Sequence, residues 1–246
     1  MKIFVISLKR SPERRENIKR QFDVLGLEFE FFDAVDGRVE PPHPLFSNYN
    51  YFKRLWLTSG RMPSKGELGC YASHYLLWDK CVKLNESILV IEDDAAINSK
   101  LVDLFATIER KVHEYGFLRL EPETERCQLF TKEDNGSYQI AFMSNNFGGT
   151  RSYAISPNAA NKLLLGSKQW CMPVDNYIGS LYIHKVPSYL LKPFIVENPE
   201  KFGSTIQLNE EDKAKWFRKP FREVYSAYRK LAMFFYNRKV MSCKIR

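Results

Sequence analysis

The sequence predicts an α/β domain built on a largely parallel sheet, followed by a basic amphipathic helix. Short apolar runs alternate with segments of helical periodicity along most of the chain, which is typical of strands joined by crossover helices. The positive charge is unevenly placed: residues 213–246 hold eleven Lys or Arg against one acid, a net +10, whereas the whole protein carries +8. The rest of the chain is therefore nearly neutral. We expect a catalytic domain over residues 1–211 and a basic aromatic segment over residues 212–246.

The first strand and the first helix are joined by a tight turn. Lys2–Leu8 has the apolar character of a buried strand, and Ser11-Pro12 supplies an N-cap and a first-turn proline for a helix to about Leu25. A second strand is predicted over Glu28–Phe32. Residues 38–63 contain prolines and lack a sustained period, so we expect a long loop there, of the kind that often serves as a lid or a binding loop.

A central helix and strand follow this loop. Ser64 and Glu67 have the Ser-x-x-Glu spacing of a capping box, which opens a helix to about Leu84. The strand Ile88–Ile91 comes next, and apolar residues at helical spacing then predict a helix that ends near His113. The remaining predicted elements are strands at Phe117–Leu120, Gln128–Phe130, Tyr138–Met143 and Tyr153–Ile155, a helix from Ser156-Pro157 to Gly166, and a final helix over about residues 212–238.

The composition argues against several classes of protein. Five cysteines without a CxxC pair argue against a disulfide framework and a zinc site, so we expect reduced thiols in the cytosol. No apolar run approaches the length of about 18 residues that a membrane span needs, and Ile3–Leu8 is too short for a signal peptide. We therefore expect a soluble or peripheral protein.

Three consecutive carboxylates, Glu92-Asp93-Asp94, end the central strand. The carboxyl ends of strands in α/β proteins open into the ligand crevice, so these acids are predicted to face a substrate site. Three like charges repel one another, and a divalent cation bound through oxygens would relieve that repulsion and hold a diphosphate. The alternative is a strand that ends in a solvated acidic turn, with an Asp that caps the next helix.

The turn after the first strand is a candidate anion site. Ser7 precedes this turn, and Arg10 and Arg14 lie near the start of the predicted helix, where backbone N–H groups favour a phosphate. Asp33 and Asp36 flank the turn after the second strand, where they would receive ribose or base groups. The alternatives are solvated surface arginines and ordinary turn acids.

A set of short motifs lies in a fixed order over about residues 3–180. The set comprises Phe4–Leu8 with Arg14-Arg15, Phe29–Ala34, Gly66–His74 with Leu77-Trp78, Glu92-Asp93-Asp94, Arg119-Leu120-Glu121, Gly148-Gly149-Thr150 with Tyr153 and Ile155-Ser156, and Pro173-Val174-Asp175. Together these motifs resemble glycosyltransferase family 25, the lipooligosaccharide and lipopolysaccharide glycosyltransferases related to procollagen galactosyltransferases. The resemblance implies a GT-A type fold, a nucleotide-sugar donor, Mn²⁺ or Mg²⁺, and an inverting transfer that forms a β-glycosidic bond.

The resemblance also implies roles for individual residues. Asp94 is the expected metal ligand, with Glu92 and Asp93 orienting the ion or contacting the donor ribose. Asp175 is the expected catalytic base, and Glu121 is a second acid of the same type. The residues expected to bind the donor are Ser7, Arg10, Arg14, Asp33, Glu67, His74, Glu92, Asp93 and Thr150.

Each of these roles has a structural alternative. Asp is a favoured N-cap, so Asp175 would cap the segment that begins at Asn176. Glu121 would form an ion pair with Arg119 at a strand end, and His74 would be a packed, hydrogen-bonded core histidine. All three alternatives stay open at the level of the sequence.

The function predicted from these features is transfer of galactose or glucose from a UDP-sugar to a lipooligosaccharide or lipopolysaccharide acceptor. We expect the protein on the cytoplasmic face of the inner membrane of a Gram-negative bacterium, held at the anionic surface by the basic C-terminal helix. The aromatic residues expected to enter that interface are Phe217, Phe221, Tyr225, Tyr228 and Phe235. The alternative is a helix that packs this aromatic stripe on the main domain.

Two other functions are compatible with parts of the sequence. The basic aromatic tail is also a feature of nucleic-acid-binding proteins, but the nearly neutral main domain argues against such a partner. The acidic cluster would also suit a metal-dependent phosphohydrolase, and no motif in the chain supports that activity.

Overall fold

The computed structural model describes residues 1–124, 126–197 and 215–242 and contains a mixed sheet of eight strands, together with a separate two-stranded ribbon. The predicted α/β fold, a sheet flanked by helices with a C-terminal helix, is confirmed. The expectation of a largely parallel sheet is wrong for the sheet as a whole, because four of its seven described strand pairings are antiparallel. The strands are β1 (Lys2–Ser7), β2 (Glu30–Asp33), β3 (Ile88–Glu92), β4 (Ala96–Ile97), β5 (Phe117–Arg119), β6 (Leu129–Asp134), β7 (Gln139–Met143), β8 (Ser152–Ile155), β9 (Tyr189–Lys192) and β10 (Val196–Glu197).

The order of the strands brings the candidate acids to one edge of the sheet. The sheet runs β2-β1-β3-β8-β5-β9-β7-β6, and its first three strands are parallel. Ser7 pairs with Asp33, and Ile6 pairs with Glu92 in the neighbouring strand. Because parallel strands end on the same side, the turns after β1, β2 and β3 meet there.

Helices cover both faces of the sheet. They are α1 (Pro12–Leu25), α2 (Tyr51–Lys53), α3 (Lys65–Leu84), α4 (Lys100–Tyr115), α5 (Pro157–Gly166), α6 (Val174–Gly179), α7 (Leu181–His184) and α8 (Lys219–Ser242). Alternate residues of a strand face opposite sides. Phe4 and Val90 accordingly pack in the layer under α3, α5 and α6, whereas Val5 and Leu89 pack in the layer under α1 and α4.

The prediction of an irregular loop over residues 38–63 is wrong in part. Pro44–Asn48 forms a 3₁₀ helix, and α2 continues directly into a π-helical turn at Arg54–Thr58. Local capping explains these short helices, because Nδ1 of His43 accepts the N–H of Leu45 and the side chain of Asn50 accepts the N–H of Lys53. None of these caps carries the long-range period on which helix prediction relies.

Some boundaries also differ from the prediction. The short elements β4, β9, β10, α6 and α7 are absent from the prediction, because each is too short for a clear period. The final helix begins with a 3₁₀ turn at Trp216–Arg218 and extends to Ser242. Its predicted start at residue 212, and the domain boundary there, lie outside the described residues.

Helix α8 packs one face on the domain. Met233, Tyr236 and Val240 pack against the core layer that lies under α1 and α4. The side-chain amide of Asn237 donates to the backbone carbonyl of Ser144 at 2.7 Å. The predicted alternative, packing on the main domain, therefore holds for this face. The opposite face carries an outward stripe of Val224, Tyr228, Leu231 and Phe235, each 56% to 73% exposed.

Candidate functional site

The three acids after β3 have different surroundings. Asp93 is 7% exposed and has both carboxylate oxygens engaged. Its Oδ2 accepts a hydrogen bond from Ser7 Oγ at 2.6 Å, and its Oδ1 accepts one from Arg14 Nη1 at 3.2 Å. Asp93 therefore ties the end of β3 to β1 and to α1.

Glu92 faces the opposite helix, α3. Its Oε1 accepts a hydrogen bond from Thr150 at 2.6 Å and lies 3.3 Å from His74 Nε2. Burial alone would raise the pKa of Glu92, but the hydrogen bond and charge of His74, followed by Thr150 and Arg151, lower it below the ordinary value. Glu92 is therefore held as a carboxylate.

The histidine opposite Glu92 is fully buried. Nδ1 of His74 lies 2.9 Å from the hydroxyl of Tyr153, and this hydroxyl also accepts a hydrogen bond from Trp78 Nε1 at 3.0 Å. The predicted packed histidine is thus present, and its other ring nitrogen reaches Glu92 at the site. His74 combines a core contact with a contact to a site acid.

Asp94 has an unsatisfied oxygen. Among the described residues, its buried Oδ1 has no hydrogen-bond partner. The only ion pair of Asp94 in this part of the chain joins the same Oδ1 to Arg151 Nε at 3.4 Å. Burial and the nearby charge of Glu92 raise the pKa of Asp94. The alternative in which an Asp caps the next helix is wrong, because Ser99 precedes α4.

These surroundings fit a divalent cation at Asp94. A buried carboxylate oxygen that makes no hydrogen bond, next to a second carboxylate, is a suitable ligand for Mn²⁺ or Mg²⁺, although it lies 3.4 Å from Arg151 Nε. Glu92 is the neighbouring candidate ligand, whereas Asp93 has no free oxygen for an ion. The ligand atoms of Cys70, His74 and Glu92 also lie within 4.8 Å of one another, but burial raises the pKa of the Cys70 thiol well above its ordinary value.

The turn after β1 forms the floor of a narrow cavity of about 130 Å³, here named the turn cavity, which is lined by Ser7, Arg10, Arg14, Asp36, His74, the three acids after β3 and neighbouring residues. Arg10 pairs with Asp36, which also accepts the N–H of Arg38 at 3.0 Å. Burial opposes these contacts, yet together they lower the pKa of Asp36. The predicted group around this turn is thus assembled in one place.

Asp33 is held by two cations that the prediction of donor ligands omits. Arg15 hydrogen-bonds to its carboxylate, Lys9 lies 3.1 Å away, and the Arg15 bond is the main reason that the pKa of Asp33 is lowered. Arg15 also donates to the backbone carbonyl of Ser7 at 3.0 Å. The Arg14-Arg15 pair was visible in the sequence, but only the fold shows which arginine faces which acid.

Glu67 lies in the first turn of α3, the helix that also carries His74. The hydroxyl of Ser64 accepts the N–H of Glu67 at 3.1 Å, which confirms the predicted cap of α3. The Glu67 carboxylate does not complete the capping box: it pairs with Arg54 at 2.9 Å and accepts a hydrogen bond from Tyr49 at 3.1 Å. Burial raises the pKa of this carboxylate. Because Arg54 and Tyr49 contact it, Glu67 has partners within the protein before any donor binds.

A second cavity of about 320 Å³ adjoins the first and shares Cys70 and Glu92 with it. This acid cavity is lined by Glu67, Cys70, Glu92, Glu121, Gly148–Arg151 and Pro173–Asp175. Thr150 stands in this wall, where it donates to Glu92. Both predicted catalytic acids, Asp175 and Glu121, therefore meet in one cavity.

Asp175 lies in the first turn of α6. The predicted N-cap role is wrong, since Pro173 is the residue before the helix. Its Oδ1 accepts the N–H of Asn176 at 2.7 Å, and its Oδ2 has no hydrogen-bond partner among the described residues. Burial raises the pKa of Asp175. A carboxylate with one free oxygen and a raised pKa is suited to accept a proton.

Glu121 is more completely engaged. It accepts hydrogen bonds from the backbone N–H of Arg151 at 2.8 Å and from the Arg151 guanidinium at 3.2 Å. The predicted ion pair with Arg119 is wrong, because Arg119 donates to the backbone carbonyl of Glu121 and to Asn146 Oδ1, at 3.2 and 2.9 Å. Gly149 makes room for this arginine, since a Cβ there would lie 2.3 Å from the guanidinium.

Residues 1–178 match the protein family described as "Glycosyltransferase family 25 (LPS biosynthesis protein)". This chain belongs to glycosyltransferase family 25. The predicted resemblance is confirmed, and the matched range contains every acid of the turn cavity and the acid cavity. Helix α8 lies outside it.

Family 25 relatives differ widely in length. A "Glycosyltransferase 25 family member" of Aedes aegypti is 32% identical over 192 residues, which cover 73% of this chain and 30% of the relative. "Lipooligosaccharide biosynthesis protein lic2B" of Haemophilus influenzae is 28% identical over 224 residues, which cover 85% of this chain and 80% of the relative. "Procollagen galactosyltransferase 2" of Homo sapiens is 27% identical over 205 residues, which cover 76% of this chain and 31% of the relative. The chain thus spans about a third of the insect and human relatives.

The described helices range in length from three residues in α2 to 24 residues in α8. None combines the length and the apolar character that crossing a bilayer requires.

Proposed function

We propose that this member of family 25 is a metal-dependent, inverting glycosyltransferase that moves a hexose from a UDP-sugar to a lipooligosaccharide or lipopolysaccharide acceptor. The observation that carries the proposal is the carboxylate oxygen of Asp94 that makes no hydrogen bond, in the turn cavity beside Glu92, which lines both the turn cavity and the acid cavity. An electrophile with a departing diphosphate needs a cation on one side and a base on the other, and the two cavities supply these places.

The diphosphate of the donor would lie over the turn after β1. The N-terminus of α1 and the guanidinium groups of Arg10 and Arg14 are the hydrogen-bond donors that this turn would offer to phosphate oxygens. The turn cavity alone is smaller than an ordinary ligand pocket. The nucleoside would therefore extend into the adjoining loop cavity of about 700 Å³, which is lined by Leu8–Arg10, Asp33–Asp36 and residues of the segment 39–44.

Asp94 and Glu92 would hold Mn²⁺ or Mg²⁺, which when bound neutralises the charge that develops on the leaving diphosphate. His74 and Thr150 would keep Glu92 ionised and oriented for that purpose. Asp93 would act differently, by fixing Arg14 and Ser7 in the wall of the turn cavity.

Asp175 would be the catalytic base. Its free Oδ2 would accept the proton of the acceptor hydroxyl while that oxygen bonds to the anomeric carbon and the bond to the diphosphate oxygen breaks. Glu121 is less suited to this role, because Arg151 and two backbone N–H groups occupy its oxygens. Glu121 would position the start of β8 and the preceding residues Thr150 and Arg151.

Galactose is the preferred donor sugar of this proposal. Its support is the name of one relative, a procollagen galactosyltransferase. A screen of UDP-galactose, UDP-glucose and their N-acetylated forms for Mn²⁺-dependent hydrolysis tests both donor and metal. We expect hydrolysis of one donor, lost on chelation and reduced about a hundredfold in Asp94→Asn, with Asp103→Asn as the surface control. Hydrolysis that survives both chelation and Asp94→Asn would contradict the metal role.

Attachment to an anionic membrane surface, on the cytoplasmic face of the inner membrane of a Gram-negative bacterium, is also part of the proposal. Its support is the outward stripe of α8 together with the basic residues of the same helix. The predicted interfacial set is reduced, because Phe217 packs on Trp56 and Tyr225 hydrogen-bonds with Tyr182.

A further inference from the structure

A further opening, the distal cleft, adjoins the acid cavity and shares no lining residue with the turn cavity. It has a volume of about 690 Å³ and shares Gly148 and Asp175 with the acid cavity. Its described lining comes from Glu123, Thr124 and Arg126, from the loop at Asn145–Gly148, from the start of α6, and from Arg229 of α8. The proposed base therefore lies at the boundary between the two openings.

The chemistry of the distal cleft suits a saccharide. The side chains of Thr124 and Asn176 can donate and accept hydrogen bonds, and neither has a side-chain partner among the described residues. Phe147 presents an aromatic ring beside them, with room made by Gly179, where a Cβ would lie 2.3 Å from the ring. The volume is within the range of ordinary ligand sites.

The two arginines of the distal cleft have no acidic partner among the described residues. The Arg229 guanidinium lies 5.8 Å from the ring centre of Phe147, and within the described parts of the chain no acid lies within ion-pair distance of it. Arg126 is exposed and likewise has no ion pair there. Glu123, an acid of the same wall, is already paired with Lys192 at 3.2 Å. Two guanidinium groups without an ion pair in the described parts of the chain are suited to attract an anion.

We propose that the distal cleft binds the acceptor and that Arg229 contacts a phosphate or carboxylate group on that saccharide. The proposal rests on the glycosyl transfer proposed above, since it places the acceptor beside Asp175. It assigns to α8, outside residues 1–178, a direct part in substrate choice. The two faces of α8 then have separate tasks: Arg229 faces the saccharide, and the outward stripe faces the membrane that carries a glycolipid.

Equilibrium binding of three matched saccharides tests this assignment without turnover. The probes are methyl glucoside, methyl glucuronide and methyl glucoside 6-phosphate, measured by ligand-observed NMR with UDP and Mn²⁺ present to occupy the donor side. We expect at least one anionic probe to bind about tenfold more tightly than the neutral one. Arg229→Gln should abolish this preference and Arg229→Lys should restore part of it, whereas the neighbouring Lys230→Gln should retain it.

The possible results separate this inference from the proposed function. Equal binding of the three probes to the unmodified protein, binding of none of them, or an unchanged preference in Arg229→Gln would overturn the role of Arg229. UDP-sugar hydrolysis by the same proteins reports on the proposed function alone. If no protein hydrolyses a donor while the anionic preference is present and lost in Arg229→Gln, the transferase proposal fails and the anionic saccharide site stands.

Discussion

His74 Nε2 lies 3.3 Å from Glu92 Oε1, and this contact joins the middle of α3 to the end of β3. The other ring nitrogen of His74 is held by Tyr153, so the imidazole has a fixed orientation. Because His74 keeps Glu92 ionised, the charge of Glu92 acts on Asp94 and raises the pKa of that second acid. His74 therefore influences Asp94, the proposed metal ligand, indirectly through the charge of Glu92.

Replacement of His74 by Ala should weaken metal binding. Glu92 would lose the partner that orients it, and partners of this kind contribute about 10- to 100-fold to metal affinity. The measurement is the dissociation constant for Mn²⁺ in the presence of UDP, with His113→Ala on α4 as the control. Unchanged Mn²⁺ affinity in a folded His74→Ala protein would assign His74 to the core alone.

Replacement of Asp175 by Asn should separate binding from turnover. Loss of a catalytic base lowers the rate by about 100- to 10,000-fold, whereas donor affinity should stay within about twofold because Asp175 does not face the turn cavity. Turnover with a saccharide acceptor and binding of UDP by calorimetry supply the two readouts. Glu121→Gln is the comparison, and it should lower thermal stability through the contacts to Arg151. A larger loss of turnover in Glu121→Gln than in Asp175→Asn would exchange the two roles.

Much of the site could be predicted because it follows strand ends. The turn after β1, the acids after β3 and the turn after β2 all come from local patterns, and the parallel order of three strands brings them together. The roles of Glu92, Asp93 and Asp94 could not be distinguished in this way. Their differences arise from Ser7, Thr150 and other residues far away in sequence, which only the packed fold places beside them.

The distal part of the site was harder to predict for the same reason. Arg151 and Arg229 belong to no sequence motif, and the motif that contains Arg119 does not indicate the contacts of that residue. Arg119 and Arg151 nevertheless connect the loops around Asp175. Their partners are backbone carbonyls and single side chains in segments that share no periodic pattern. Hydrogen bonds of this kind depend on loop conformation, which sequence periodicity does not encode.

Removal of one partner from the buried ion pair of Arg54 and Glu67 should destabilise the protein strongly. Their atoms lie 2.9 Å apart, and each residue is at most 6% exposed. Arg54→Met leaves a buried carboxylate without its cation, which should lower the free energy of unfolding by about 3 to 5 kcal/mol. Adding Glu67→Gln should recover part of that loss. Urea unfolding of the single and double variants measures both effects, and additive losses would show that the pair is not coupled.

Protonation of His184 should destabilise the fold in acid. Its Nε2–H donates to the carbonyl of Ile178 at 3.0 Å and its Nδ1 accepts the N–H of Val186 at 3.1 Å, so the neutral ring satisfies both neighbours. Burial lowers its pKa from 6.5 to about 4. Because the unfolded chain takes up the proton first, this stabilisation is complete above pH 6.5 and is lost as the pH falls toward 4.

The loss attributable to His184 is about 3 kcal/mol over that range. The free energy of unfolding should therefore fall less steeply between pH 7 and pH 4.5 in His184→Gln than in the unmodified protein. The comparison uses the slopes, so a constant offset between the two proteins does not affect it. Parallel slopes would show that His184 takes up its proton equally in the folded and unfolded states.

Membrane attachment through α8 should depend on the outward stripe and not on exposed apolar residues in general. Leu231 on α8 and Leu165 on α5 are both 59% exposed, which makes them a matched pair. If the outward stripe enters the interface, Leu231→Ser should reduce partitioning into anionic vesicles about tenfold, because an apolar side chain no longer leaves water. Leu165→Ser should have no effect. Vesicle sedimentation at two salt concentrations measures this, and higher salt should weaken the attachment of both proteins through the basic residues of α8. Equal partitioning of the two variants, or no binding to anionic vesicles by the unmodified protein, would mean that the outward stripe does not attach the protein to a membrane.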